Sequence, residues 1–455
     1  MTTAITTAAL GARADRNIVQ DRSTPRPTLR PMNATRPVQT TRRQENGLAL
    51  TTDDPAIVAA VDALEAELLR YGKGVGRYLD GPAAASDCAL AVAYAAAVHL
   101  FALTTEGRAR AMPLVGRALR LARSATARER TVVEAVAHWA AGDTARATAL
   151  HMEVARRWPA DLVSAKICQF HQLNAGDFSG MLACTGALVG ALPDNGWTLG
   201  MHAFALGQTG DLAGAERAGR AAAALNADPW AHHAVAHVLD DAGRAAEGRA
   251  WMREHGRVWE DCSSFMYTHN WWHAALFEIG LGDHGAALAL FDERVWGVRR
   301  DCCQDQVNAV SLLVRFELLG IDVGDRWDDL APHLEKRIGD QANAFVDLHY
   351  AYGLARAGRD GAVERQLAAL RTGGEAGEPP ARAFRDAVAM AAEGMAAHAR
   401  GDHGRAAARL AAVGGHLPAF GGSRTQRRLV DLVREDSARR AGAGARMPGR
   451  SAARA

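Results

Sequence analysis

The chain has 455 residues, 53 basic against 51 acidic, and is 48% hydrophobic but only 6% aromatic. A net charge near zero excludes a nucleic-acid footprint over the whole molecule, and the Ala-rich apolar fraction favours helices that cross closely on small side chains. No run reaches 18 apolar residues, so no membrane-spanning helix is expected, and the opening residues lack the basic-then-apolar order of a secretory signal.

In chain order, residues 1–47 read as a disordered basic arm, with Pro25, Pro27, Pro31 and Pro37 among Thr and Arg and little hydrophobic period. Residues 53–125 hold helix-like stretches without a repeat phase. The Gly-rich GKGVGR at 72–77 follows no strand, so a phosphate loop is not expected there. A period then begins. Gly142, Gly176 and Gly210 stand 34 residues apart, Gly243 follows 33 later and Gly282 a further 39. Asp143, Asp177, Asp211 and Asp283 directly follow four of these glycines, and Pro159, Pro193 and Pro229 keep nearly the same step. A glycine between two apolar stretches closes one helix in a left-handed turn, and the next Asp caps the following helix. Ala147, Ala215 and Ala287 each fall five residues after a turn glycine, where two crossing helices require a small side chain.

A 34-residue helix-turn-helix period is the tetratricopeptide signature. The expected fold is therefore all-α, a tetratricopeptide-like right-handed solenoid over residues 48–435. Gly358 and Gly401 mark further turns, and 436–455 read as a disordered basic tail. The six cysteines, Cys88, Cys168, Cys184, Cys262, Cys302 and Cys303, include no CxxC pair and read as reduced structural thiols. Cytoplasm is the expected compartment.

The segments WAHHAVAHVLDDAGR (230–244), THNWWHAALFEIGLGDHGAALALFD (268–292), SLLVRFELLGIDVGDRW (311–327) and AFVDLHYAYGLARAGR (344–359) resemble the tetratricopeptide repeat protein 38 family, as does the opening GLALTTDD (47–54). The resemblance spans roughly residues 47–415. It implies a helical repeat fold and no established reaction.

Two histidine pairs stand out, His233 with His237 and His269 with His273. A spacing of four places each pair on one helical face, and both lie on first helices of adjacent repeats, which line the concave groove of such solenoids. Asp240 and Asp241 continue the stripe, and Trp272 adjoins the second pair. His349 lies two helix pairs further on and is a further groove candidate. Three readings follow. The four imidazoles could bind a divalent transition metal, form a metal-free binding or acid–base pocket, or hydrogen-bond between helices. Neither pair is HExxH, so a base would come from Asp240, Asp305 or His349.

The expected function is binding of a peptide, protein or small-molecule partner in the groove, with a His-rich pocket. The alternative is a metal-dependent or His-based enzyme acting on a small molecule there. Nucleic acid is not an expected partner. Arg315 is expected in an interhelical ion pair. The longer connector within 253–270 is either a lid over the pocket or a plain linker.

Overall fold

The computed structural model describes residues 40–445 except 80, 342 and 373–378. A short antiparallel ribbon comes first, Thr41–Arg43 against Ala49–Thr51 with Arg42 opposite Leu50. Helices α1 (Pro55–Leu69), α2 (Pro82–Ala85), α3 (Ala89–Leu100) and α4 (Thr105–Leu121) precede the phased repeats.

The repeats then run as pairs: α5 (Ala127–Ala141) with α6 (Thr144–Arg157), α7 (Leu162–Ala175) with α8 (Phe178–Ala191), and α9 (Gly196–Thr209) with α10 (Leu212–Leu225). Next come α11 (Pro229–Asp241) with α12 (Ala245–His255), α13 (Ser264–Gly280) with α14 (His284–Leu290), and α15 (Cys303–Leu318) with α16 (Arg326–Glu335). The series closes with α17 (Ala344–Arg356) and α18 (Asp360–Thr372), α19 (Pro379–Ala399) and α20 (His403–Val413), and α21 (Arg424–Ala445). This is an all-α helical repeat solenoid.

The local chemistry behind the period is as expected. Gly142, Gly176, Gly210, Gly243, Gly282, Gly358 and Gly401 all have positive φ, which lets one helix stop and the next leave within a residue or two. The carboxylates of Asp143, Asp177, Asp211, Asp283 and Asp402 accept the backbone N–H three residues on, each capping the second helix of a pair. Ala147, Ala215 and Ala287 are fully buried at the crossings.

Each first helix also packs on the first helix of the next pair, from α7 against α9 through α11, α13, α15, α17 and α19. That row forms the inner face of the array. The residues after α20 return along it: the 3-10 turn Gly414–Phe420 packs on α7, and α21 packs on α11, α15, α19 and α20.

Both expected tail boundaries shift. Residues 40–47 belong to the folded unit, because Gln44 is buried and bonded to Asp62, Glu65 and Arg128; residues 1–39 lie outside the described residues. At the other end α21 continues ten residues beyond 435. Asp436 and Ser437 are buried there, and Asp436 is paired with His398, Arg439 and Arg440. Arginines that read as a solvated tail instead bind this buried carboxylate. Residues 446–455 lie outside the described residues.

The long connector is fastened rather than hinged. It forms the 3-10 turn Gly256–Asp261, buries Trp259, and is tied to the N-terminal region by a Gly72–Cys262 bridge and by Ser263 N donating to Tyr71 O at 2.6 Å.

Candidate metal centre

The two histidine pairs meet inside the array. His233, His237, His269 and His273 are all at most 2% exposed. One ring nitrogen from each lies within 4.8 Å of the others. His237 Nε2 is 3.0 Å and His269 Nε2 3.1 Å from His233 Nε2. Helices α11 and α13 pack on each other as neighbouring first helices, so two i, i+4 stripes face across one interface.

Hydrogen bonds behind the His269 ring fix its tautomer. Thr268 Oγ1 donates to Asp305 Oδ1 at 3.0 Å, and Asn308 Nδ2 donates to Thr268 Oγ1 at 3.1 Å. That orients the Asn308 amide, so its Oδ1 accepts from His269 Nδ1–H at 2.9 Å. His269 Nε2 is then a bare lone pair. Thr425 Oγ1 lies 2.9 Å from His237 Nδ1.

The His269 lone pair points at His233 Nε2, and His237 Nε2 faces the same nitrogen. A single proton on that nitrogen can be donated to only one of these neighbours. His273 uses neither ring nitrogen in a hydrogen bond, and His233 Nδ1 is also unpaired. Buried imidazole nitrogens without partners cost on the order of 1–3 kcal/mol each. Burial holds His233, His237 and His273 well below the usual imidazole range, with the neighbouring imidazoles adding to the effect. Burial lowers His269 to about 4, against the opposing Asn308 hydrogen bond. All four are neutral at pH 7, the form that ligates metal.

Aromatic rings wall the cluster. Trp272 stacks on His269 (centroids 5.1 Å apart, planes 10°) and meets His273 edge-on, while its Nε1 donates to Ser311 Oγ. Phe265 stacks on the other face of the cluster at His269, and Trp230 and Phe204 lie against His233. Trp272 is therefore a wall at 1% exposure, with Trp271 half-buried beyond it against Trp259.

The other expected site residues fall as follows. Asp240 is half-buried at the end of α11, and Asp241 pairs with Arg424. His349 is buried on α17 with Nδ1 bonded to Phe345 O at 2.8 Å, outside the four-imidazole group. Arg315 makes no ion pair within 4 Å among the described residues. It donates to Ser311 and to Thr425 O, and lies over the Trp272 ring. Burial lowers His273 and His349, with a smaller contribution from the Arg315 charge. The sequence reading missed Thr425, Asn308 and Thr268.

No family model matches the chain. Among solved structures it is similar to a human IFIT1 dimer with m7Gppp-AAAA, at TM-score 0.43 and 15% identity over 84% of this chain and 86% of that one. A human IFIT1 dimer with PPP-AAAA gives 0.43 and 14%, over 83% and 86%. The P58(IPK) TPR domain gives 0.20 and 11%, over 70% and 100%. Similarity at this level transfers nothing to the site.

Proposed function

We propose that this protein is a helical-repeat metalloprotein holding one divalent transition metal among His233, His237, His269 and His273. The supporting observation is the convergence of three Nε2 atoms at 3.0 and 3.1 Å, that of His269 fixed as a lone pair from behind by Asn308. Zn–N bonds of about 2.0–2.1 Å in a tetrahedron put neighbouring nitrogens about 3.3 Å apart, close to these separations. Four neutral imidazoles suit Zn, Cu, Ni or Fe better than Mg or Ca, which prefer oxygen. Such an ion would join two consecutive repeats. Its outer shell resembles the hydrogen-bonded partners that metal-bound histidines usually carry.

The test is metal content of untagged protein after equilibration with excess Zn2+ and desalting. One ion per chain is expected, with cobalt(II) substitution giving the intense visible bands of a tetrahedral site. Less than a tenth of an equivalent for Zn, Co, Ni and Cu alike would overturn the reading.

His273 supports a second, enzymatic reading. Ligand atoms spread to 4.8 Å, with both His273 nitrogens unpaired, also suit three imidazoles plus a metal-bound water, with His273 as base. In that case His273→Phe keeps the ion and loses hydrolysis of an activated ester. In the four-ligand case the same variant loses the ion.

A separate peptide or protein partner beside the cluster would have to displace the returning C-terminal segment, so we place partner binding elsewhere on the array. The HAVAH and HNWWH stretches that carry the resemblance to the tetratricopeptide repeat protein 38 family supply all four ligands, and we propose membership on that basis.

A further inference from the structure

The C-terminal segment contributes to the centre from far along the chain. It turns at Gly421 and Gly422, both at positive φ, where a Cβ would meet the Asn174 side chain at 3.0 Å and the Phe345 ring at 3.0 Å respectively. Only glycines pass between α7 and α17 at this point. Arg424 N then donates to Gln208 Oε1 at 2.9 Å, and its guanidinium pairs with Asp241. Thr425 follows, 188 residues from His237. Its hydroxyl oxygen lies 2.9 Å from His237 Nδ1, and its carbonyl accepts from Arg315 at 3.1 Å.

Resting on the metal reading above, we infer that Thr425 is a positioning residue of the centre, so that metal loading and seating of residues 421–427 are coupled. A threonine at this place has a specific chemistry. Its oxygen, 2.9 Å from His237 Nδ1, can accept from that nitrogen, which puts the His237 proton on Nδ1 and the lone pair on Nε2. With no acceptor there, His237 is free to carry its proton on Nε2, which then points an N–H at the ion and removes a ligand. Reciprocally, a bound ion fixes the tautomer that the segment recognises, and linkage requires the two effects to be equal.

The experiment uses the full chain with Zn2+ as probe. Thr425→Val is nearly isosteric and removes the acceptor; Thr425→Ser keeps it. By competition with a chromophoric chelator, Val should weaken Zn2+ binding about 10–100-fold while Ser stays near wild type. Cobalt(II) bands should shift in the Val variant and persist in the Ser variant. Amide exchange in 421–427 of the wild type should slow on adding Zn2+. Unchanged affinity in Thr425→Val, equal loss in Ser and Val, or exchange indifferent to Zn2+ would each overturn the coupling with the metal reading intact. Failure of the wild type itself to bind Zn2+ overturns the metal reading, and the inference with it.

Discussion

Among the regions that bury imidazoles, the one around α6 and α7 and the one around α11 and α13 do so to different ends. In α6 and α7, His151 and His171 are at most 3% exposed and their rings stack at 6.0 Å. His151 Nδ1 lies 2.7 Å from Ser164 Oγ, and Trp139 meets His171 edge-on at 4.8 Å. Burial pushes both down to about 3. In α11 and α13 burial is as complete, yet there four nitrogens share one locus and one is fixed as a lone pair by hydrogen bonds that end on the Asp305 carboxylate. A third group, His398 with His403 and Asp436, is close enough to share an ion. However, His398 already bonds Tyr352 and Asp436 through its two nitrogens, and Arg439 and Arg440 neutralise the carboxylate. Buried histidine is thus a common way to fill a repeat interior. Convergence with an oriented outer shell separates a site from packing.

The largest expected effect breaks that contrast at its centre. His233→Ala removes the nitrogen that His237 Nε2 and His269 Nε2 both face, and bound Zn2+ should fall from one equivalent to background. His171→Ala should keep the full equivalent. Equal loss in the two variants, read by metal analysis on folded protein, would mean that burial alone governs the metal content.

Acid separates the regions next. His151 and His171 have folded values near 3 against an ordinary 6.5, so within that window the unfolded chain binds more protons. Their neutral burial contributes stability fully above about pH 6.5, and it is lost as pH falls toward 3. The slope is up to about 1.4 kcal/mol per pH unit for each group. His171→Leu should flatten the acid limb of urea midpoints measured from pH 7 to 4, without changing metal content. An unchanged slope would mean that His171 does not titrate with unfolding.

A smaller effect tests the outer shell. Asn308→Leu takes the acceptor from His269 Nδ1 and should weaken Zn2+ about 10–100-fold. Ser164→Ala, the matching change behind His151, should leave Zn2+ affinity unchanged.

How far these regions could be read in the sequence depended on the range of the interactions. The repeat was legible because its marks are local: a left-handed glycine, a carboxylate three residues from the N–H it caps, an alanine at a crossing. The histidine stripes were legible for the same reason, since an i, i+4 spacing fixes a face. Trp272 was read as a groove residue. It is a wall, because its neighbour Trp271 takes the outer position against Trp259. Thr425 left no local mark. It sits among Arg424, Arg427 and Arg428, a charge run that reads as solvated, and its partner is on α11. Asn308 and Thr268 were equally silent, since the bond between them joins α13 to α15.

The smallest effect asks whether the repeat scaffold and the site are separable. Asp283 caps α14 directly after α13, which carries His269 and His273, accepting from Ala286 N at 3.0 Å. Asp177 caps α8 after the helix that carries His171, accepting from Gly180 N at 2.9 Å. Both are exposed and both bonds are alike in length, so Asp→Ala at either should cost about 1 kcal/mol of unfolding free energy. The cap satisfies an N–H in the second helix of its pair, whereas the ligands are held by first-helix contacts and by the chains through Asn308 and Thr425. Zn2+ affinity should therefore be the same in Asp283→Ala, Asp177→Ala and wild type, while the denaturation midpoints drop together. A tenfold loss of affinity in Asp283→Ala alone would show that the turn transmits strain into α13, and that the two regions differ in scaffold as well as in chemistry.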